Sequence, residues 1–131
     1  MSNPSVSVKK RPKHLELWKI RLPVPGIVSI LHRVSGAVMF LVLIPLLLTL
    51  LDNSLASQES FEDLRFQLGS PLVKLVVLGL AWSFLHHFFA GIRYLLLDLH
   101  IGIDLPTTRL WSKAVLVVSG ILTLLVAVAL W

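Results

Sequence analysis

The chain contains no cysteine. A disulfide framework is thereby excluded, as is any iron–sulfur cluster ligated by cysteines of this chain. Acidic residues are also scarce, seven Asp and Glu against twelve Lys and Arg, for a net charge of +5. Only 15% of the residues are charged while 56% are hydrophobic, and the mean hydropathy is +0.84. A soluble domain of 131 residues has too little core to hide that much apolar surface, so lipid is the better solvent for this chain.

The apolar residues fall into three runs, each long enough to cross a hydrocarbon core of roughly 30 Å. The first spans about 27–51 and the second about 72–97. The third is free of charge from Ala114 to Trp131 and is placed as a helix over about 110–131. Backbone in lipid must satisfy its own hydrogen bonds, which selects helices, and the runs are too uniformly apolar for barrel strands. The predicted fold is an all-α membrane protein with three transmembrane helices. Residues 1–26 form an N-terminal segment and 27–131 a single three-helix domain.

The basic residues are distributed as a topology signal rather than as a nucleic-acid footprint. Lys9, Lys10, Arg11, Lys13, Lys19 and Arg21 precede the first helix, and Arg93, Arg109 and Lys113 flank the second connection. The first connection instead carries Asp52, Glu59, Glu62 and Asp63 beside Arg65 and Lys74. The positive-inside rule puts the N-terminus and the second connection in the cytoplasm. The N-terminal region does not read as a cleavable signal peptide, because both its polar and its apolar stretches are long. Residues 9–26, with Trp18, Pro23 and Pro25, read as an irregular strip that anchors at the membrane surface or docks a partner.

Local signals mark the helix ends. Pro45 predicts a kink in the first helix. Ser60 and Asp63 have the spacing of a capping box for a short interfacial helix in the first connection, with Phe61, Leu64 and Leu68 on one face. Ser70 and Pro71 have the N-cap and first-turn chemistry of the second helix, and Thr107 or Thr108 that of the third.

Two polar sets stand inside the apolar runs. In "SILHRVSG" (29–36), Ser29, His32, Arg33 and Gly36 recur at i, i+3, i+4 and i+7, which is one helix face. In the second run Gly79, Ser83, His87 and Gly91 recur every fourth residue. That small-residue stripe admits a neighbouring backbone or a flat ligand beside the imidazole. His86 points about 100° away from His87. An intramembrane histidine can bond another helix, relay protons or ligate a metal, and the spacing alone leaves the three open. Arg93, near a helix end, is expected to snorkel. Arg33, crowded by Ser29 and His32, is expected to want an anionic partner, since an unpaired arginine at mid-membrane costs about 2.5–3.5 kcal/mol on insertion scales. A heme accounts for both sets: one imidazole for the iron, and His and Arg for acidic propionates. The third run has no histidine and His32 is expected at a different depth from His87, so a second axial ligand would come from another subunit.

Arg11, Pro12 and Leu15, then "SILHRVSG", then His87-x3-Gly91-Ile92-Arg93-x4-Asp98 resemble the cytochrome b membrane subunit of bacterial succinate dehydrogenase, from about residue 11 to the C-terminus. The two helix motifs in this order are specific together. The resemblance implies one of two hydrophobic anchors in a four-subunit complex of the bacterial inner membrane. The flavoprotein and iron–sulfur subunits would be held there, with heme b shared between this chain and the second anchor subunit. It implies His87 as an axial ligand of the heme iron, Ser29 and Arg33 at the ubiquinone site, His32 and Arg33 near the heme propionates, and Asp98 in proton delivery. The chain has no flavin or dinucleotide motif, so succinate oxidation itself would lie elsewhere in the complex. Many members carry histidine after Gly-Ile-Arg where this chain has Tyr94. The alternatives are an anchor of a quinol:fumarate reductase, or a heme-free scaffold or transport protein in which His87 and Arg33 bond helices or relay protons.

Overall fold

The computed structural model describes residues 20–131. The expected surface strip over 9–26 and the motif at Arg11, Pro12 and Leu15 fall largely or wholly outside those residues. All regular elements among the described residues are helical. Three helices are long and apolar enough to cross a membrane: Val24–Ala56, Pro71–Asp98 and Leu105–Leu130.

The first span is a composite. It begins as α1 (Val24–Val38), widens to a π-helical turn at Met39–Leu43, and resumes as α2 (Ile44–Ala56). The widening sits immediately before Pro45. Proline has no N–H to give to the carbonyl four residues back, and its ring would press on that carbonyl. The Ile44 N–H bonds instead to the Met39 carbonyl, five residues back. A π-turn therefore absorbs the misfit that the sequence predicts as a kink. The span also runs past residue 51, as far as Ala56.

A short helix, α3 (Gln58–Leu68), follows. Its cap is Ser57, whose hydroxyl accepts from the Ser60 N–H at 3.1 Å, so the capping box predicted at Ser60 and Asp63 is displaced by one turn. Ser70 is the N-cap of α4 (Pro71–Asp98) by position, but its side chain makes no capping bond.

Between α4 and α5 (Leu105–Leu130) the chain turns tightly. His100 occupies the left-handed region at φ 59°, and the Ile101 N–H reaches back to the Leu96 carbonyl at 2.9 Å, which is a Schellman closure. Gly102 follows at φ 74°, and a Cβ there would lie 2.9 Å from the Trp111 ring. Asp104, rather than Thr107 or Thr108, caps α5: its carboxylate accepts from the Thr107 N–H at 2.9 Å. Thr108 bonds the Gly102 carbonyl instead.

α4 packs against both α1 and α5. The buried positions are small or polar: Val28 and Ser35 on α1, Leu80, Ser83, His86, Ala90 and Arg93 on α4, and Ser112, Val115 and Ser119 on α5. Lipid gives apolar side chains no reason to turn inward, so membrane helices close on small residues that let backbones approach. Ser83, Ser112 and Ser119 return their hydroxyl protons to the carbonyl four residues back on their own helix, so they bring little unsatisfied polarity to the seam. The large side chains point outward: Phe40 is 70% and Val128 78% exposed. At the far end of the bundle Lys74 donates to the Leu130 carbonyl and lies over the Trp131 ring, where a cation suits a helix C-terminus.

Candidate functional site

The two motif helices bring His32 of α1 and His87 of α4 into face-to-face contact, at one depth rather than the different depths expected from the sequence. Their ring centroids are 4.1 Å apart and their planes 13° from parallel. His87 Nδ1 lies 3.0 Å from the His32 carbonyl oxygen and 3.3 Å from Ser35 Oγ. Ser35 spends its own proton on the same carbonyl, at 3.0 Å. Both neighbours of Nδ1 are therefore acceptors, which assigns the imidazole proton to Nδ1 and leaves the lone pair on Nε2. A backbone carbonyl holding one ring nitrogen while the other stays basic is the usual support of a metal-ligating histidine.

Glycine makes this approach possible. A Cβ at Gly36 would lie 2.9 Å from His87 Cε1 and 3.3 Å from Nδ1, closer than any rigid ring tolerates. Beside Gly79 nothing lies within 4 Å of a Cβ position, so that part of the predicted stripe borders open space rather than a neighbouring helix of this chain. Ser83 departs from the stripe and turns into the bundle.

His86 occupies a different environment. It is fully buried and stacked on Trp82 at 5.2 Å with planes 22° apart, and neither ring nitrogen has a hydrogen-bond partner among the described residues. The 100° step per residue separates the two histidines: one packs inside the three-helix seam and the other edges its open side.

Arg93, expected to snorkel, is buried instead. Arg93 is 4% exposed and its Nε and Nη1 have no partner among the described residues, whereas Arg33 is exposed. Arg93 lies seven residues after His86 and so shares its inward phase. Arg33 stands five residues after Val28, off the buried face. Ser29 is half-buried and Asp98 exposed at the end of α4. The structure thus joins His32 to His87, carries Ser29 and Arg33 within one turn of His32 along α1, and leaves Asp98 at the end of α4. Two neighbours of the histidine pair carry no role predicted from the sequence. Ser35 touches His87, and Tyr94 stands 5.1 Å from His32 with its hydroxyl buried and without a partner among the described residues. Tyr94 falls seven residues after His87, the same face two turns on, which is the signal that could have found it.

Comparison with known proteins agrees with the geometry. Residues 7–126 match the family model described as succinate dehydrogenase/fumarate reductase transmembrane subunit. The succinate dehydrogenase cytochrome b556 subunit of Coxiella burnetii is 42% identical over 123 residues, covering 93% of this chain and 98% of that protein. The proteins of the same name from Rickettsia prowazekii and Paracoccus denitrificans are each 29% identical over 119 residues, covering 88% of this chain and 90% and 91% of theirs. With three membrane-crossing helices and this match along nearly its whole length, the chain belongs to the succinate dehydrogenase/fumarate reductase transmembrane subunit family.

Proposed function

We propose that the chain is the heme b-binding anchor of a bacterial succinate dehydrogenase and helps to form its ubiquinone site. The observation that carries this is His87, its Nδ1 tied to the His32 carbonyl and its ring admitted by Gly36. Nε2 is left as an oriented nitrogen of the kind a heme-iron ligand requires. His86 is walled in by Trp82 and the seam and fully buried, whereas His87 is only half-buried. The relatives carry the name succinate dehydrogenase, which favours that enzyme over the fumarate reductase working in the other direction.

Heme b, when bound, supplies one-electron exchange between carriers. The residues of this chain do the rest. His87 would hold the iron, and a second anchor subunit would complete the site. His32 and Arg33 balance the propionate charges. Ser29 donates its hydroxyl to a quinone carbonyl oxygen, and Arg33, one turn on along α1, stabilises negative charge developing there. Asp98, exposed at the end of α4, passes protons in from cytoplasmic water. The basic residues gathered at this end set it on the cytoplasmic side of the inner membrane, facing the iron–sulfur and flavoprotein subunits.

The quinone assignment is tested with Ser29→Ala and Arg33→Leu in the assembled complex. Succinate-driven ubiquinone reduction should fall by about 10²-fold, the usual loss for a preorganised donor. Succinate oxidation by a soluble artificial acceptor should be unchanged. Undiminished ubiquinone reduction in both variants would remove these residues from the site.

A further inference from the structure

Arg93 takes no part in the site described above, yet its burial is costly. It is 96% buried, being 4% exposed, and its Nε and Nη1 donate to nothing among the described residues. The face of Tyr94 lies 5.2 Å from the guanidinium carbon. A ring face eases the charge but does not accept the in-plane N–H groups. A buried, unsatisfied guanidinium calls for an anion with oxygen acceptors.

The same side chain lines a groove of about 240 Å³ between α4 and α5, walled by Phe89, Ile92, Leu96, Trp111 and Val118. At 100° per residue these α4 positions lie about 140–240° around the helix from His87. A second anchor engaging the His87 face therefore leaves this groove turned toward lipid; that placement rests on the function proposed above. Arg93 stands five residues before Asp98, about 7.5 Å from the end of α4, within reach of the headgroup layer. Arg109 and Lys113, both exposed on the first turns of α5, add positive charge at the same end.

We infer that this groove is a binding site for an anionic phospholipid, with a phosphate oxygen on the Arg93 guanidinium and an acyl chain along Phe89, Ile92, Leu96 and Val118. Charge complementarity at the buried arginine and the apolar wall beyond it match the two halves of such a molecule, and neither a free anion nor a soluble peptide uses both.

The test compares the tagged, assembled complex with its Arg93→Gln and Ala114→Phe variants. Ala114 lines the groove, so a phenylalanine there fills it and leaves Arg93 in place. Each is reconstituted in phosphatidylcholine discs with or without phosphatidylglycerol, and bound lipid is counted by native mass spectrometry. The wild type should retain phosphatidylglycerol over phosphatidylcholine by about tenfold. Arg93→Gln should abolish that preference, and Ala114→Phe should lose the bound lipid. The b-type optical spectrum, recorded on the same samples, reports the proposed function separately and should stay unchanged. Equal retention in all three proteins would overturn the site. So would stabilisation of delipidated complex by inorganic phosphate as effective as that by phosphatidylglycerol, which would make it a headgroup-only anion site. Loss of a partner subunit from Arg93→Gln with lipid retention unaltered would assign the arginine to a protein carboxylate and overturn it as well.

Discussion

Gly36 and Ser35 touch the same imidazole, and their contributions differ sharply. Gly36→Ala places a methyl group 2.9 Å from His87 Cε1, on a helix backbone that cannot retreat. The ring must move, so the variant is expected to lose about 1–3 kcal/mol to overpacking and to perturb any heme held at His87. Thermal unfolding and the optical spectrum of the complex check both. Ser35→Ala removes only the longer of the two acceptors of Nδ1, at 3.3 Å, and leaves the 3.0 Å bond to the His32 carbonyl. Its spectrum should match the wild type, with a stability change near 1 kcal/mol. A large spectral change in Ser35→Ala with none in Gly36→Ala would reverse this ordering. The motif made His32 and His87 legible in the sequence because helix periodicity reports which residues share a face. It could not report that the two faces meet, nor that a carbonyl, invisible to side-chain patterns, orients the ring.

The helices themselves were legible from hydropathy, since lipid permits few other structures, but their ends were decided by local chemistry that competes over one turn. Ser57 rather than Ser60 caps α3, and Asp104 rather than a threonine caps α5. In both cases the residue earlier in the chain takes the free N–H groups. Asp104 gives a pH signature. The Thr107 backbone N–H, and then its side chain, hold the Asp104 carboxyl below its ordinary value. A carboxyl with a lowered folded-state pKa adds stability that is complete above its unfolded value, about 3.9, and is lost as the pH falls through the folded value. The α4–α5 turn should therefore loosen below about pH 4, seen as faster amide exchange over residues 99–108. Asp104→Asn keeps a capping oxygen and should flatten that dependence, whereas a profile equal to wild type in Asp104→Asn would assign the acid sensitivity elsewhere. In the same turn, Gly102→Ala meets both a left-handed φ of 74° and the Trp111 ring. A loss of about 1–3 kcal/mol in thermal unfolding is expected, and a neutral result would show that the turn rearranges freely.

At the scale of the whole molecule, three helices enclose a thin polar seam and expose nearly everything large. Half-open His87 and exposed Arg33 lie along α1 and α4, while Arg93, expected at the interface, is locked inside. The sequence could assign each arginine a depth but not an azimuth relative to a neighbour, and azimuth decides which one is buried. The division between His86 and His87 is the same problem in adjacent residues, resolved by packing: Trp82 and the seam enclose one, and Gly36 opens a place for the other. The central claim, that His87 and not His86 ligates heme iron, is tested most directly by reduced-minus-oxidised optical spectra. The complex is purified through a tag on this chain as wild type, His87→Ala and His86→Ala. The account predicts a b-type spectrum in wild type and in His86→Ala, and its loss in His87→Ala. A spectrum lost in His86→Ala but preserved in His87→Ala would contradict it, as would an intact wild-type complex with no heme.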